Sequence, residues 1–365
     1  MKISRDTFSF YDKSDLVIVR EQYPGHSFFY INFSIFAEGD VSQAIKKLSI
    51  FLDQNGYEVL TGFAFGLESF PSVSNLNKIS GLVSLKQKDT SCHRIQLVCT
   101  DSSMVTVITN TAYATVKAVD HYGSTLFFIT NGYYQGADNC YGQAYSAFKS
   151  LGKILNDIGI GCSNLVRTWL FVSDILEWYD TLNRARTDFY REENILDDHI
   201  PASTGIGLGN IYDKCLLINA FAVHNREVKQ MVRTVKSPMQ CDATDYKSSF
   251  SRAVELSLKT SKRLIISGTA SIGRNGETLH KGSIKNQIKH TMEVVHSILT
   301  NEKYGWNNVV RAIAYFLYPE DVIYFNEYCF SNNIDSSGIL RVDGTICRDD
   351  LLFEIELDAV KTVQH

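Results

Sequence analysis

Proline is scarce, five in 365 residues, and no Ser/Gly-rich or single-charge tract interrupts the chain. That excludes a string of modules on flexible linkers. No apolar run approaches the ~20 residues of a membrane-spanning helix; the longest extends only from Ala312 to Tyr318. Neither sign of charge prevails, with 36 Lys+Arg against 40 Asp+Glu and a formal net charge of −4. Overall attraction to nucleic acid is therefore lacking, and an acidic small molecule would need local basic residues. Neither nucleic acid nor a membrane is expected as a partner. The eight cysteines never form C-x-x-C, and MKISRDTFSFYDKSD at the start carries no apolar signal stretch. These features predict a reduced, cytoplasmic protein. The chain does have 44% hydrophobic residues, enough for sizeable cores and incompatible with a disordered chain.

The chain also contains an internal repeat. LFFITNGYYQ (126–135), GQAYSAFKSLGKIL (142–155), SNLVRTWLFVSDILEWYDTLN (163–183) and KCLLINAFAV (214–223) form the first copy. RLIISGTASI (263–272), NQIKHTMEVVHSIL (286–299), NNVVRAIAYFLYPEDVIYFNEY (307–328) and DLLFEIELDAV (350–360) repeat the same order. Gly132 and Gly268 lie 136 positions apart, Gln143 and Gln287 144, Arg167 and Arg311 144, and Leu216-Leu217 and Leu351-Leu352 135. Short β-branched and aromatic runs stopped by Gly read as strands, and Ala147, Leu151 and Ile154, or Met292, Val295, Ile298 and Leu299, keep helical spacing. NLVRTWLFV and NVVRAIAYF read as buried strands, each succeeded by a second helix from Trp178 or Val322. Each copy is thus expected to be a small α+β unit, a mixed sheet with helices packed on one face. Residues 1–110 form an N-terminal extension readable as a third, eroded copy, with Gln43 standing where Gln143 and Gln287 stand. The expected domains are 1–110, 111–228 and 229–365.

A Gly-ended strand, a Gln-containing helix, an N-x-V-R strand and a final hydrophobic-Glu-Ile-Glu strand together resemble the RidA/YjgF family, which shares its fold type with chorismate mutase-like units. Such units usually assemble as trimers with sites between subunits. PASTGIG (201–207), SPMQ (237–240), FSRA (250–253), GTASI (268–272) and CRDDLLFEIE (347–356) narrow the resemblance to the chorismatases. These are tandem RidA-like enzymes of secondary metabolism, hydrolases or lyases that convert chorismate to pyruvate plus a hydroxybenzoate, such as 3-hydroxybenzoate, or a dihydroxycyclohexadiene carboxylate. The resemblance implies no cofactor and no metal. It departs between Gln240 and Phe250, which is short and has Asp242, Ala243 and Thr244 in place of Pro and aromatic residues. In the first copy Pro201 precedes Ala202 and Ser203, so the carboxylate-holding Arg of simple RidA units is absent.

The copies differ where chemistry would occur. Asn219 stands in the last strand of the first copy at the place taken as equivalent to Glu354, and only the second copy offers Arg341 and Glu354. The reaction is therefore expected in 229–365, with the first copy as a degenerate structural partner. Alternation puts Glu354 and Glu356 on one strand face, either solvated or unusually placed. Cleaving an enol ether needs protonation of its terminal methylene carbon, a task for a carboxylic acid of raised pKa. Glu354, beside Leu351, Leu352 and Phe353, is the candidate general acid. Chorismate carries two carboxylates, so two bidentate guanidinium forks are expected among Arg341, Arg252 and Arg348. Gly268, Thr269 and Ala270 are candidate substrate contacts after a strand. The resemblance gives Cys347 a pocket-shaping role in product outcome, and adds Gln240 and Tyr246 as contacts.

Other signals fail. Gly205-Ile-Gly207-Leu-Gly209 leads to a strand, not the helix a dinucleotide loop requires. His280, His290 and His296 fall around one helix without completing a metal set, and Asp197-Asp198-His199 reads as a polar loop. Two other functions stay open: a RidA-like imine or enamine deaminase in which Glu354 activates water, and a non-catalytic small-acid-binding protein. Oligomeric state is open between a monomer whose repeats imitate a trimer and a homo-oligomer.

Overall fold

A computed structural model of the chain describes residues 1–10, 14–36, 39–67, 81–88, 91–110, 114–133, 139–197 and 199–363. The first sheet is built from β1 (Lys2–Phe10), β2 (Ser14–Tyr23), β3 (His26–Phe36), β4 (Tyr57–Phe65), β5 (Leu82–Leu85) and β6 (Cys92–Asp101), with α1 (Val41–Asn55) between β3 and β4. Asp40 caps α1 by accepting from the Gln43 N–H at 3.0 Å, and Gly56 ends it in the left-handed region at φ 64°. The second sheet comprises β7 (Val105–Asn110), β8 (Thr115–His121), β9 (Ser124–Gly132), β10 (Leu165–Val172), β11 (Ala202–Gly207) and β12 (Leu216–His224), with α2 (Cys140–Asp157) and α3 (Ile175–Glu192). After the short α4 (Val228–Met231), the third sheet comprises β13 (Val232–Val235), β14 (Ala253–Ser257), β15 (Ser261–Ala270), β16 (Val309–Phe316), β17 (Ile339–Asp343) and β18 (Phe353–Thr362), with α5 (Ile284–Asn301) and α6 (Val322–Ser331). No described helix is long and apolar enough to cross a membrane.

All three six-stranded sheets share one plan. The first is ordered β1-β2-β3-β6-β4-β5, and the corresponding strands of the other two run β7-β8-β9-β12-β10-β11 and β13-β14-β15-β18-β16-β17. In each, the sixth strand enters antiparallel between the third and fourth, and the fourth pairs in parallel with the fifth. The fold is α+β, made of tandem units of one topology.

Both faces of these sheets are covered, which explains why β10 and β16 are buried throughout rather than alternating. On β16, Ala312, Ala314 and Phe316 pack beneath α5 and α6, while Val310, Ile313 and Tyr315 join a core shared by all three sheets. On β10, Leu170 and Val172 face the helices and Trp169 and Phe171 face the shared core. The glutamines at the helix starts tie each helix to the turn before its last strand. Gln143 Oε1 accepts from Cys215 N, and Gln287 Oε1 accepts from Leu352 N while its Nε2 donates to Asp350 O. Gln43 differs: it is exposed and takes no comparable place.

At the centre, β10 and β16 contribute Arg167 and Arg311, both fully buried. Each guanidinium pairs with Glu356 of β18, and Arg167 also reaches Asp358 at 3.0 Å. Trp169 Nε1 donates to Glu356 at 3.0 Å, and its ring lies 4.7 Å and 5.1 Å from the two guanidinium carbons. The register also corrects the sequence alignment. Asn219 pairs with Trp169 as Glu356 pairs with Ile313, so Asn219 corresponds to Glu356 and Leu217 to Glu354. A β-bulge ahead of the matched positions, at Leu165/Arg167 and Val309/Arg311, is shared, but spacing in the last strand differs by loop length, which a linear comparison does not resolve. Replacing Glu356 by Ala would strand two buried guanidinium groups. Urea unfolding of Glu356→Ala should show a loss of about 3–5 kcal/mol, and Glu356→Gln a smaller one.

Candidate active site

A cavity of about 650 Å³ lies between the second and third sheets. One wall is α3 and β11, with Tyr179, Asn183, Arg186, Ser203 and Gly205; the other is built from β15, β18 and their loops, with Gly268, Ala270, Cys347 and Glu354. The sheets are joined beside it by a parallel bridge from Ala202 to Ser251 and by Ser203 N donating to Ser267 Oγ at 2.9 Å. Gly205 and Gly207 are thus part of a parallel strand rather than a phosphate loop. His199 packs structurally, its Nε2 2.6 Å from Leu165 O; Asp198 lies outside the described residues.

Glu354 projects from β18 into this cavity while 4% exposed. Burial first, and then the negative charge of Glu356, push its carboxyl up to about 8, against the opposing pull of Arg252. Glu356 shows the opposite balance. Burial would raise it, but Arg167 and Arg311 hold it down at about 2. Two glutamates on one strand face therefore have separate states near neutrality, one a neutral acid and the other a fixed anion. Gly268 makes the room for the acid, because a Cβ there would overlap Glu354 Oε1 and stand 3.1 Å from Thr204 Cγ2. Thr204 Oγ1 accepts both from Gly268 N and from Arg167, linking the cavity wall to the central charges.

Three arginines line the same cavity. Arg186, Phe250, Arg252, Tyr246 and Arg348 form an alternating stack: both Arg186 and Arg252 lie 5.6 Å from Phe250, and Arg252 and Arg348 lie 5.3 Å and 5.4 Å from Tyr246. Their direct bonds are to neutral groups: Arg186 to Asn183 Oδ1 at 2.6 Å, Arg252 Nε to Cys241 O at 2.9 Å, and Arg348 to Gly276 O at 2.7 Å. Among the described residues Arg252 Nη2 and Arg186 Nε are buried without a hydrogen-bond partner. Both residues line the cavity, and these donors have no acceptor within the described chain. Burial lifts the Tyr246 phenol to about 12 and the Cys347 thiol to about 12, so both stay neutral on the cavity wall.

Gly268, Ala270, Tyr246, Arg252, Cys347, Arg348 and Glu354 therefore come together. Three expected residues do not line the cavity. Arg341 lies on the helix-facing side of β17, where it bonds Ser336 Oγ at 2.8 Å and Asn326 Oδ1 at 3.1 Å and stacks on Phe325; its neighbours Leu340 and Val342 take the inner face. Thr269 points away from Gly268 and Ala270 by strand alternation and bonds Ser267 O. Gln240 donates to Ala270 O and Ile272 O, fixing the end of β15. Sequence reading misses Arg186, because it looks for cationic forks only in the second copy. The available signal is the helical i, i+4, i+7 spacing of Tyr179, Asn183 and Arg186 beside the apolar stripe.

No family model matches the chain. A 3-hydroxybenzoate synthase from Streptomyces hygroscopicus is 25% identical over 58% of this chain and 67% of its own length. A chorismatase crystal structure superposes with TM-score 0.65 and 18% identity, covering 83% of this chain and 93% of that one. Yeast Mmf1 aligns over 36% of this chain and 98% of its own, with 17% identity and TM-score 0.30. The fold is that of the chorismatase structure.

Glu354 has a stability signature that needs no substrate. Its carboxyl titrates at about 8 in the folded chain against 4.5 ordinarily, so the folded state binds the extra proton between these values. Stability is lost as pH rises through that window. Glu354→Gln removes the titration, and calorimetry should find its Tm several degrees above the parent at pH 8.5 but close to it at pH 4.5.

Proposed function

We propose that this chorismatase-type chain cleaves the enolpyruvyl ether of chorismate to pyruvate and a hydroxybenzoate, with Glu354 as general acid. The observation that carries the reading is a buried carboxyl, its pKa raised by burial, that shares one cavity with three guanidinium groups. The name of the Streptomyces hygroscopicus relative supports 3-hydroxybenzoate as the ring product.

The substrate's two carboxylates fit the stacked arginines, where Arg252 and Arg186 have unused buried N–H groups and Arg348 lies behind Tyr246. Glu354 then gives its proton to the terminal methylene carbon of the enol ether. The former double bond supplies the electrons for the new C–H bond, and an oxocarbenium ion forms beside the resulting Glu354 carboxylate. That anion is created where the cation develops, so attraction between them lowers the barrier. Capture by the substrate's own ring hydroxyl forms a cyclic ketal. The bond from that oxygen to the ring then breaks as the ether-bearing ring carbon loses a proton and the ring becomes aromatic. The freed oxygen becomes the pyruvate carbonyl as the other ketal C–O bond breaks to leave the hydroxybenzoate, with no net water consumed. Capture by water would instead release a dihydroxycyclohexadiene carboxylate plus pyruvate. Every group in this scheme lines one cavity of a single chain. The free thiols fit a reducing compartment such as the cytoplasm.

Purified protein incubated with chorismate should release pyruvate in a coupled assay, with 3-hydroxybenzoate identified by mass spectrometry; no pyruvate above the uncatalysed rate would overturn the proposal. Glu354→Gln should lower kcat by about 10²–10⁴-fold with KM nearly unchanged. Because the protonated form is active, kcat/KM should be level below pH 7 and fall above about pH 8, where Glu354 ionises. Arg252→Met should act mainly on KM, raising it by roughly tenfold or more, as loss of a charge-assisted pair implies.

A further inference from the structure

We propose that Cys140 and Cys215 are a reversible disulfide site whose closure stiffens the segment leading into the cavity wall. The two residues are 75 positions apart, yet their Sγ atoms lie 2.6 Å from each other. Cys140 opens α2 and Cys215 immediately precedes β12. A disulfide needs about 2.05 Å, so closure asks for roughly half an ångström of movement. Both side chains are half-buried rather than sealed, and both line a separate cavity of about 410 Å³ with Lys86, Asp213 and Lys214, through which a small oxidant can reach them.

The lead-in to α3 packs directly against Cys215. Cys215 O accepts from Ser173 N at 3.0 Å, Ser173 Oγ donates to Lys214 O at 2.9 Å, and Ser173 O accepts from the Trp178 indole at 2.6 Å. Glu177 and Trp178 line both the thiol cavity and the candidate active site. The intervening backbone is irregular: Asp174 adopts the left-handed region at φ 50°, and Trp178 interrupts the helix at φ −142°, ψ 19°. A non-glycine residue in that region is held by its surroundings. Tying Cys215 to α2 would therefore restrain Ser173, and through it the turn that carries Tyr179 into the substrate cavity.

Both thiols line the cavity, so either can meet the oxidant, and the balance below is the same with the two exchanged. With hydrogen peroxide, the Cys140 sulfur attacks one oxygen, the O–O bond breaks, and water leaves a sulfenic acid. The Cys215 sulfur then attacks that sulfur and a second water departs. Two thiols are oxidised and one peroxide is reduced to two waters; a dithiol reductant reverses the change.

The test treats the full chain with hydrogen peroxide in small excess, alkylates remaining thiols and maps peptides without reduction, alongside hydrogen exchange. The expected result is a mass loss of two hydrogens and a cross-linked peptide pair containing Cys140 and Cys215. Both should be reversed by dithiothreitol and absent from Cys140→Ser and Cys215→Ser. Amide exchange over 173–179 should slow by about tenfold on oxidation in the parent and remain unchanged in either variant. No such cross-link, a cross-link joining other cysteines, or a cross-link with unaltered exchange at 173–179 would overturn the proposal. Neither readout uses chorismate, so failure of the substrate assignment and failure of this site are separable.

Discussion

A single carboxylate held between two buried guanidinium groups ties this molecule together. Glu356 lies where the three sheets meet, bound to Arg167 of the second sheet and to Arg311 of its own. Ions removed from water in this way are tolerated only when partners and hydrogen bonds surround them, which Trp169 and Asp358 help to supply. The requirement fixes how the second and third sheets sit against each other, since a sliding displacement of about an ångström would leave buried charge unpaired. An apolar centre of the same volume could be equally stable but would not specify that one arrangement.

The same anion makes the neighbouring chemistry available. Glu354 and Glu356 are two residues apart on β18, and strand alternation turns both toward the interior. One is satisfied by arginines and remains charged; the other, facing the cavity with less compensation, keeps its proton. Thr204 connects the two environments by accepting from Arg167 and from Gly268, whose missing side chain leaves space for the acid. Fold stability and acid strength thus share one set of contacts, since the burial that raises the Glu354 carboxyl also makes it costly to ionise.

The three cavity arginines are held by stacking rather than by ion pairs. The guanidinium planes of Arg186, Arg252 and Arg348 are spaced by Phe250 and Tyr246, which hold like charges near one another without neutralising them. A dianion bound as proposed would meet guanidinium groups already held by stacking, so little side-chain entropy would remain to be lost. Because the stack takes Arg186 from α3 and the other two from the third sheet's loops, both units line the candidate site.

The amino-acid sequence by itself determined the repeated unit, its strands and helices, and the shared face of Glu354 and Glu356, because these arise from local spacing: period two in strands, 3.6 in helices, and Gly where the chain must turn. It also brought Glu354, Arg252, Arg348, Tyr246, Cys347, Gly268 and Ala270 into one hypothesis through their motifs. Only the tertiary structure decided that the glutamate face looks inward, that Arg341 turns toward α6, that Arg186 arrives from another sheet, and that Cys140 meets Cys215. Each of these depends on which face of one unit lies against which face of the next. That choice is made by contacts between residues far apart in the chain, such as Arg167 with Glu356, and no local pattern records it.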